Sequence, residues 1–273
     1  MTAHPKVTLV TCKSMPNLFK GEEGLLDELA ARGCDPQIKV WNDPDVDWSE
    51  AGMVVVRSVS DYASDRPAFL EWTKQLRRVQ NSADVLNWNT DKHYLKELAA
   101  LGMPTIPTNW LEPEQNLSKH QIHTRFPAFG EFVVKPAVSS GVRDIGRYTT
   151  VDTRQRQAAM RQVQGLLGEG RSVMIQRYVE EIDLHGEISL VFFNGLVSHA
   201  VEKRSALHPA SVSDPSVHEA VVTAEAADSV AWKWGEEIRR VLHGYVRSRL
   251  GHDEQFLFNR VDLVPDGKGS FLV

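Results

Sequence analysis

The hydrophobic rhythm of this chain changes once, at the two-proline segment Met103-Pro104-Thr105-Ile106-Pro107-Thr108, and that change limits the architectures open to it. Ahead of the segment, β-branched runs alternate with helical stretches. A strand is expected over residues 6–12. A helix follows over 22–32, with Leu25, Leu26, Leu29 and Ala30 at helical spacing and a stop at Gly33. Further strands are expected over 37–41 and 53–57, where consecutive valines suit a strand covered on both faces. Helices are expected over 67–80, with Phe69, Leu70, Trp72, Leu76 and Val79 on the apolar stripe, and over 91–101. This βαβ alternation predicts an open α/β subdomain over residues 1–108.

Behind the prolines the sequence turns to hairpins. Strand-like runs EFVVKPA, GRYTTV, SVMIQRYV, EISLVFFNG and LVSHAVEKR surround a polar helix over 153–167, and Asn194-Gly195 between two apolar runs is a strong hairpin signal. A long helix over 224–250 precedes a last strand pair around Pro265-Asp266-Gly267. The expected division is a small central subdomain over 109–177 and an antiparallel-sheet subdomain over 178–273, an α/β chain that is α+β overall.

At 273 residues, 42% of them hydrophobic, the chain can bury a sizeable core with no disulfide or structural metal. Its 31 basic and 36 acidic residues leave a net charge of −5 without a long Lys/Arg run, which argues against nucleic acid as a partner. No apolar stretch is long enough to span a membrane, and the N-terminus lacks a signal-peptide core, so the expected location is cytoplasmic. Cys12 and Cys34 suit no zinc spacing and read as free thiols. His185, His199, His208 and His218 lack metal-ligand spacing, and Trp232 and Trp234 read as core or subunit packing. The loop over 208–218 is a candidate cover for a substrate.

Candidate chemistry lies in an order of residues, each of which alone also reads as an ordinary surface feature. Lys135 closes the apolar run Phe132-Val133-Val134 just before Pro136, where the chain is expected to leave its sheet. The loop 139–146 follows, with Ser139, Ser140, Gly141 and Gly146 able to offer backbone N–H groups to an anion and Arg143 and Arg147 adding charge. Neither GxxxxGK[ST] nor GxGxxG occurs. Lys92 lies 43 positions before Lys135, and Glu180, Glu181 and Asp183 crowd a strand exit.

This order resembles the ATP-grasp superfamily of carboxylate-amine ligases over nearly the whole chain. The resemblance implies that Lys92 and Lys135 contact the α and β phosphates of ATP while loop 139–146 serves as a lid. It places adenine at Gln176, Arg177, Tyr178 and Val179 and ribose at Asp183. Gly186-Glu187, the basic strand end Lys203-Arg204 and the element Arg260-Val261-Asp262 complete the match. Arg204 and Arg260 would face the γ-phosphate or an acyl phosphate, Glu187 would orient a lysine or the base, and Asp262 would hold Mg²⁺. Two ions are usual in the superfamily, and the second carboxylate is expected from a continuation past Val273.

A narrower similarity runs through VTCKSMPNL, VWNDPDVDW, VVVRS, WNTDKHYL, GMPTIPT, KPAVSSGVRD and VFFNGLVSHAVEKR. These segments are similar to the subgroup that includes the D-cycloserine synthetases, which close O-ureido-D-serine into an antibiotic. The implied substrate is a small amino-acid-like carboxylate. It is expected at the N-terminal strand ends, where Thr11, Lys13, Arg57, Ser58 and Asp61 lie, with Arg57 on the carboxylate. An intramolecular cyclo-ligase, an intermolecular amino-acid ligase and a non-catalytic nucleotide-binding module remain as readings. Both lysines together with Asp262 weigh against the third. Homo-oligomerisation is left open.

Overall fold

The computed structural model describes residues 4–19, 22, 24–203, 207 and 229–273. The chain forms two compact units, one of residues 1–90 with 254–257 and one of residues 91–253 with 258–273.

In the first unit, strands β1 (Lys6–Thr11), β2 (Asp35–Val40), β3 (Met53–Ser58) and β4 (Val79–Gln80) make a parallel sheet in the order β2-β1-β3-β4. Helices α1 (Gly24–Ala31), α2 (Arg66–Lys74) and α3 (Ala83–Asn89) complete it. Alternate residues of the central strands face opposite cores, as a doubly covered parallel sheet requires. Val10 and Val54 pack with Trp41, Phe69 and Trp72, whereas Leu9 and Val55 pack with Leu18, Leu26 and Leu29.

One expectation needs correction here. The helix expected over 67–80 ends at Lys74, and Val79 pairs with Val54 as an edge strand. Its apolar spacing misled because Leu76 fills the same core from a turn. Asn87-Trp88-Asn89 forms the end of α3, whose N-cap Ser82 accepts from the Val85 N–H at 3.3 Å.

Gly52 shows how closely β3 approaches β1. Its φ is +69°, and a Cβ there would lie 2.4 Å from the Lys6 carbonyl oxygen, a backbone atom that cannot swing aside. Gly52→Ala is expected to destabilise the protein by about 2–4 kcal/mol. An unchanged urea midpoint for unfolding would contradict that packing.

The second unit opens with α4 (Tyr94–Ala100) and contains two antiparallel sheets. The first joins β5 (Thr108–Leu111), β6 (Glu131–Pro136), β7 (Gly146–Thr149) and β8 (Val173–Arg177) in the order β5-β8-β6-β7. Helices α5 (Lys119–His123) and α6 (Thr153–Gly168) cover it around Leu111, Phe132, Val163 and Ile175. Sequence rhythm gave no sign of β5 or α5, both short. Pro136 ends β6 as expected, although the two neighbours let go at different points: β7 pairs only as far as Val134, while β8 continues to Pro136.

A short helix α7 (Glu181–His185) leads to β9 (Glu187–Phe193) and β10 (Leu196–Lys203). Asn194 and Gly195 turn that hairpin with φ of 52° and 75°, the signature of a primed turn. Helix α8 (Ser229–Leu250) packs on β9, and β11 (Phe258–Pro265) and β12 (Phe271–Leu272) complete the order β10-β9-β11-β12. Trp232 and Trp234 both pack against this core, which centres on Leu190, Phe192 and Leu263. Among the described residues, no helix is long and apolar enough to cross a membrane.

Candidate active site

Lys92 precedes α4 in a turn tied to the far end of β6. Its backbone N–H donates to the Ala137 carbonyl at 3.0 Å. Its Nζ donates to Ser139 Oγ at 2.7 Å and to the Ser139 carbonyl at 3.1 Å, so the amine grips the first residue of loop 139–146. Ser139 is buried, Ser140 half-buried and Gly141 exposed with φ of +63°. Burial pushes Lys92 down to about 8, assisted by the charge of Lys135 and opposed by Asp91. Burial likewise pushes Lys135 down to about 8, against the attraction of Glu187. Two ammonium groups are thus held close at a desolvation cost that a polyanionic ligand would offset.

Glu187 and Ser189 alternate along β9, and Arg260 and Asp262 alternate along β11, with Ser189 directly opposite Asp262 in the register. Ser189 Oγ donates to Asp262 at 2.5 Å, and Arg260 forks onto the same carboxylate at 2.7 and 2.8 Å. Lys203 Nζ stands 3.7 Å from Asp262 and 3.9 Å from Glu187. Burial and the neighbouring Asp262 charge raise Glu187 above the usual carboxylate range. Asp262 lies below that range, because Arg260, Lys203 and Ser189 outweigh its burial. Two carboxylates and a hydroxyl form an oxygen-only donor set that fits a hard divalent cation whose shell phosphate oxygens complete. Among the described residues, no group of three or more His, Cys, Asp or Glu side chains is gathered for a metal.

The stretch expected to hold adenine follows β8. Gln176 is buried, and its amide donates to Thr108 Oγ1 at 2.7 Å, which commits the side chain to the sheet. The Tyr178 N–H donates to the Glu131 carbonyl at 2.9 Å, and its hydroxyl donates to Asp183 at 2.5 Å. Val179 starts the turn into α7, its carbonyl accepting from the Ile182 N–H at 3.1 Å. Arg147 corrects an expectation: its guanidinium does not add charge to the tip of loop 139–146 but bonds to Glu131 and Asp183 and lies 3.6 Å from the Tyr178 ring centre.

In the first unit, Thr11 and Ser58 are fully buried, and Thr11 donates to the Ser58 carbonyl at 3.3 Å. Ser58 Oγ donates to Glu22 at 2.7 Å, and the same carboxylate forms an ion pair with Arg57. Asp61 accepts from the Trp41 indole at 2.7 Å, and Lys13 is exposed. Thr11 and Ser58 thus serve the internal structure, and the Arg57 guanidinium already has a carboxylate partner. Arg204 and the loop 208–218 lie outside the described residues.

The structure therefore brings Lys92, Lys135, Ser139, Glu187, Arg260 and Asp262 into one unit, with Tyr178 and Asp183 in the same unit. Sequence reasoning passed over Ser189, whose signal is the alternation Glu-x-Ser on β9 facing Arg-x-Asp on β11. It also passed over Glu22, which nothing local to the sequence pairs with Arg57, 35 positions away.

A family model described as the N-terminal domain of the D-cycloserine synthetase DcsG matches residues 7–87. The cycloserine biosynthesis protein DcsG of Streptomyces lavendulae is 33% identical over 257 residues, covering 91% of this chain and 82% of that protein. The crystal structure of D-cycloserine synthetase DcsG superposes with a TM-score of 0.81 at 30% identity, covering 98% of this chain and 89% of that one. D-alanyl-alanine synthetase A from Vibrio cholerae shares the fold at a TM-score of 0.66 and 15% identity, covering 100% of this chain and 88% of that one.

Proposed function

The chain belongs to the D-cycloserine synthetase family of ATP-grasp ligases, and on that premise we propose that it closes O-ureido-D-serine into D-cycloserine at the expense of ATP. The observation that carries this reading is the convergence of Lys92 and Lys135 with the Glu187, Arg260 and Asp262 cluster in one unit. Transfer of the γ-phosphate to the substrate carboxylate gives an acyl phosphate, the oxygen-bound nitrogen of the same molecule displaces phosphate to close the ring, and water then takes the carbamoyl group from that nitrogen as carbamate, which breaks down to CO2 and ammonia and leaves D-cycloserine. A tethered nucleophile gains an effective concentration of roughly 10⁵ M or more and needs no second acceptor site.

Each residue has a distinct part in this reading. Lys92 and Lys135 neutralise the α and β phosphates, and Lys92 also holds loop 139–146 through Ser139. Arg260 and Arg204 stabilise charge on the transferred phosphoryl group, and Lys203 balances Glu187. Asp262 and Glu187 would hold Mg²⁺, which when bound would neutralise charge on the phosphates and on the transferring phosphoryl group. Tyr178, Val179 and the Gln176-Arg177 main chain border adenine, and Asp183 meets ribose. Lys13, Arg57 and Asp61 of the first unit are the proposed contacts of the substrate, whose carboxylate would exchange with Glu22 on Arg57.

Two lysines held down to about 8 make a pH prediction. The phosphates need the charged amines, so kcat/KM for ATP stays level below that pH and falls above it, with a slope approaching −2. Bound nucleotide favours the charged amines, so the decline in kcat is displaced to higher pH. A level kcat/KM through pH 9 would remove both lysines from the phosphates.

Supplying O-ureido-D-serine, ATP and Mg²⁺ as the only reactants tests the reaction. Expected products are ADP, phosphate, CO2, ammonia and a cyclic product with the mass of D-cycloserine. ADP release only with a second amino acid, giving a linear product, would establish the intermolecular ligase instead. Nucleotide binding without turnover of either kind would establish the non-catalytic module.

A further inference from the structure

Arg147 lies on β7, behind loop 139–146, and its side chain is only 14% exposed. Nη1 donates to Asp183 Oδ1 at 3.1 Å and Nη2 stands 2.8 Å from Oδ2, a two-point grip on one carboxylate. Nε donates to Glu131 at 3.0 Å, and a second nitrogen reaches the same oxygen. The guanidinium carbon lies over the Tyr178 ring, 3.6 Å from its centre, and that ring's hydroxyl donates to the Asp183 oxygen that Arg147 holds. Glu131 returns the connection through its carbonyl, which accepts from the Tyr178 N–H. The cation therefore fixes a carboxylate, a ring and the strand beneath them in a closed circuit. Hydrogen bonds that Arg147 donates to Asp183 and Glu131 outweigh burial and raise its pKa, so the grip persists across the working pH range.

We propose that Arg147 is the positioning residue of the ribose subsite, setting the plane of the Asp183 carboxylate and the hinge ring Tyr178 so that the enzyme discriminates ribose from deoxyribose nucleotides. This rests on the reading of Asp183 as the ribose contact. A carboxylate free to rotate accepts a hydroxyl in many orientations and selects weakly. One pinned at both oxygens presents one geometry, and loss of the matching hydroxyl then leaves a desolvated acceptor unpaired. Lysine cannot substitute for this, because an ammonium makes a point contact without a fork or a stacking face.

The test compares kcat/KM for ATP with that for 2′-deoxyATP and 3′-deoxyATP in the full-length enzyme, its Arg147→Lys variant and its Asp183→Asn variant. Lysine retains the charge between Glu131 and Asp183, so the fold is spared the repulsion that a neutral residue would leave. Both substitutions are expected to bring the preference for ATP at least tenfold closer to unity. In Arg147→Lys the KM for ATP rises while kcat changes less than threefold. If Asp183→Asn abolishes the preference while Arg147→Lys keeps it, Arg147 is not the positioning residue. If Asp183→Asn also keeps the preference, Asp183 is not the ribose contact. Thermal unfolding of each variant shows whether it is folded; should Arg147→Lys prove unfolded, Tyr178→Phe, which removes only the hydroxyl half of the circuit, must reduce the preference or the proposal fails.

Discussion

Lys135→Met is expected to lower ATP turnover by roughly 10³-fold while making the nucleotide-free protein more stable. Removing one preorganised cation from a developing phosphoryl charge typically costs 10²–10³-fold or more in rate. The stability gain follows from the direction of the lysine's shift. Burial holds it at about 8, below the 10.5 of an unshielded lysine, so between those values the unfolded chain binds more protons than the folded one. Below pH 8 the charged amine is therefore a full liability to the empty fold, and methionine of similar length removes it. Loss of turnover with a raised urea midpoint distinguishes this residue from one that supports the fold. Near-normal ADP release, or a lowered midpoint, would contradict the assignment.

Asp262→Asn is expected to cost a comparable factor by a different route. The carboxylate is bound by Arg260, Ser189 and Lys203, and the amide keeps the shape but not the charge. With the carboxylate gone, Arg260 and Lys203 lose their common counter-ion, and the proposed Mg²⁺ loses a ligand. Turnover should become negligible at Mg²⁺ concentrations that saturate the parent enzyme, whereas metal-free nucleotide binding, measured by calorimetry, should be retained or strengthened by the two uncompensated cations. A variant with parental Mg²⁺ dependence would place the metal elsewhere.

The parts of the molecule legible in sequence are those in which one local pattern decides the outcome. Asn194-Gly195 announced its hairpin, the valines of β3 announced burial on both faces, and Lys135 after Phe132-Val133-Val134 announced a charged group on a core strand. Where a residue's role depends on a distant partner, sequence reading failed. Val79 has helical spacing from Trp72 and Leu76 but becomes a strand because β3 offers an open edge. Arg147 looked like one more cation in a glycine-containing loop, yet Glu131 and Asp183 claim it from 16 and 36 positions away. Glu22 on Arg57 is of the same kind. Thr11 and Ser58 carried the polar chemistry of a strand-end site, but burial directed their hydroxyls to internal partners.

The second unit buries separate cores, one against β5–β8 with α5 and α6 and another against β9–β12 with α8. Each sheet then holds its own reserve against opening. Backbone amides of β6 and of β9 should exchange with heavy water as two classes, each with its own denaturant dependence, and those of the five-residue α7 before either. A nucleotide whose phosphates engage Lys135 in one sheet while their metal engages Asp262 in the other would act as a rivet. The two exchange classes should merge into one as ligand saturates.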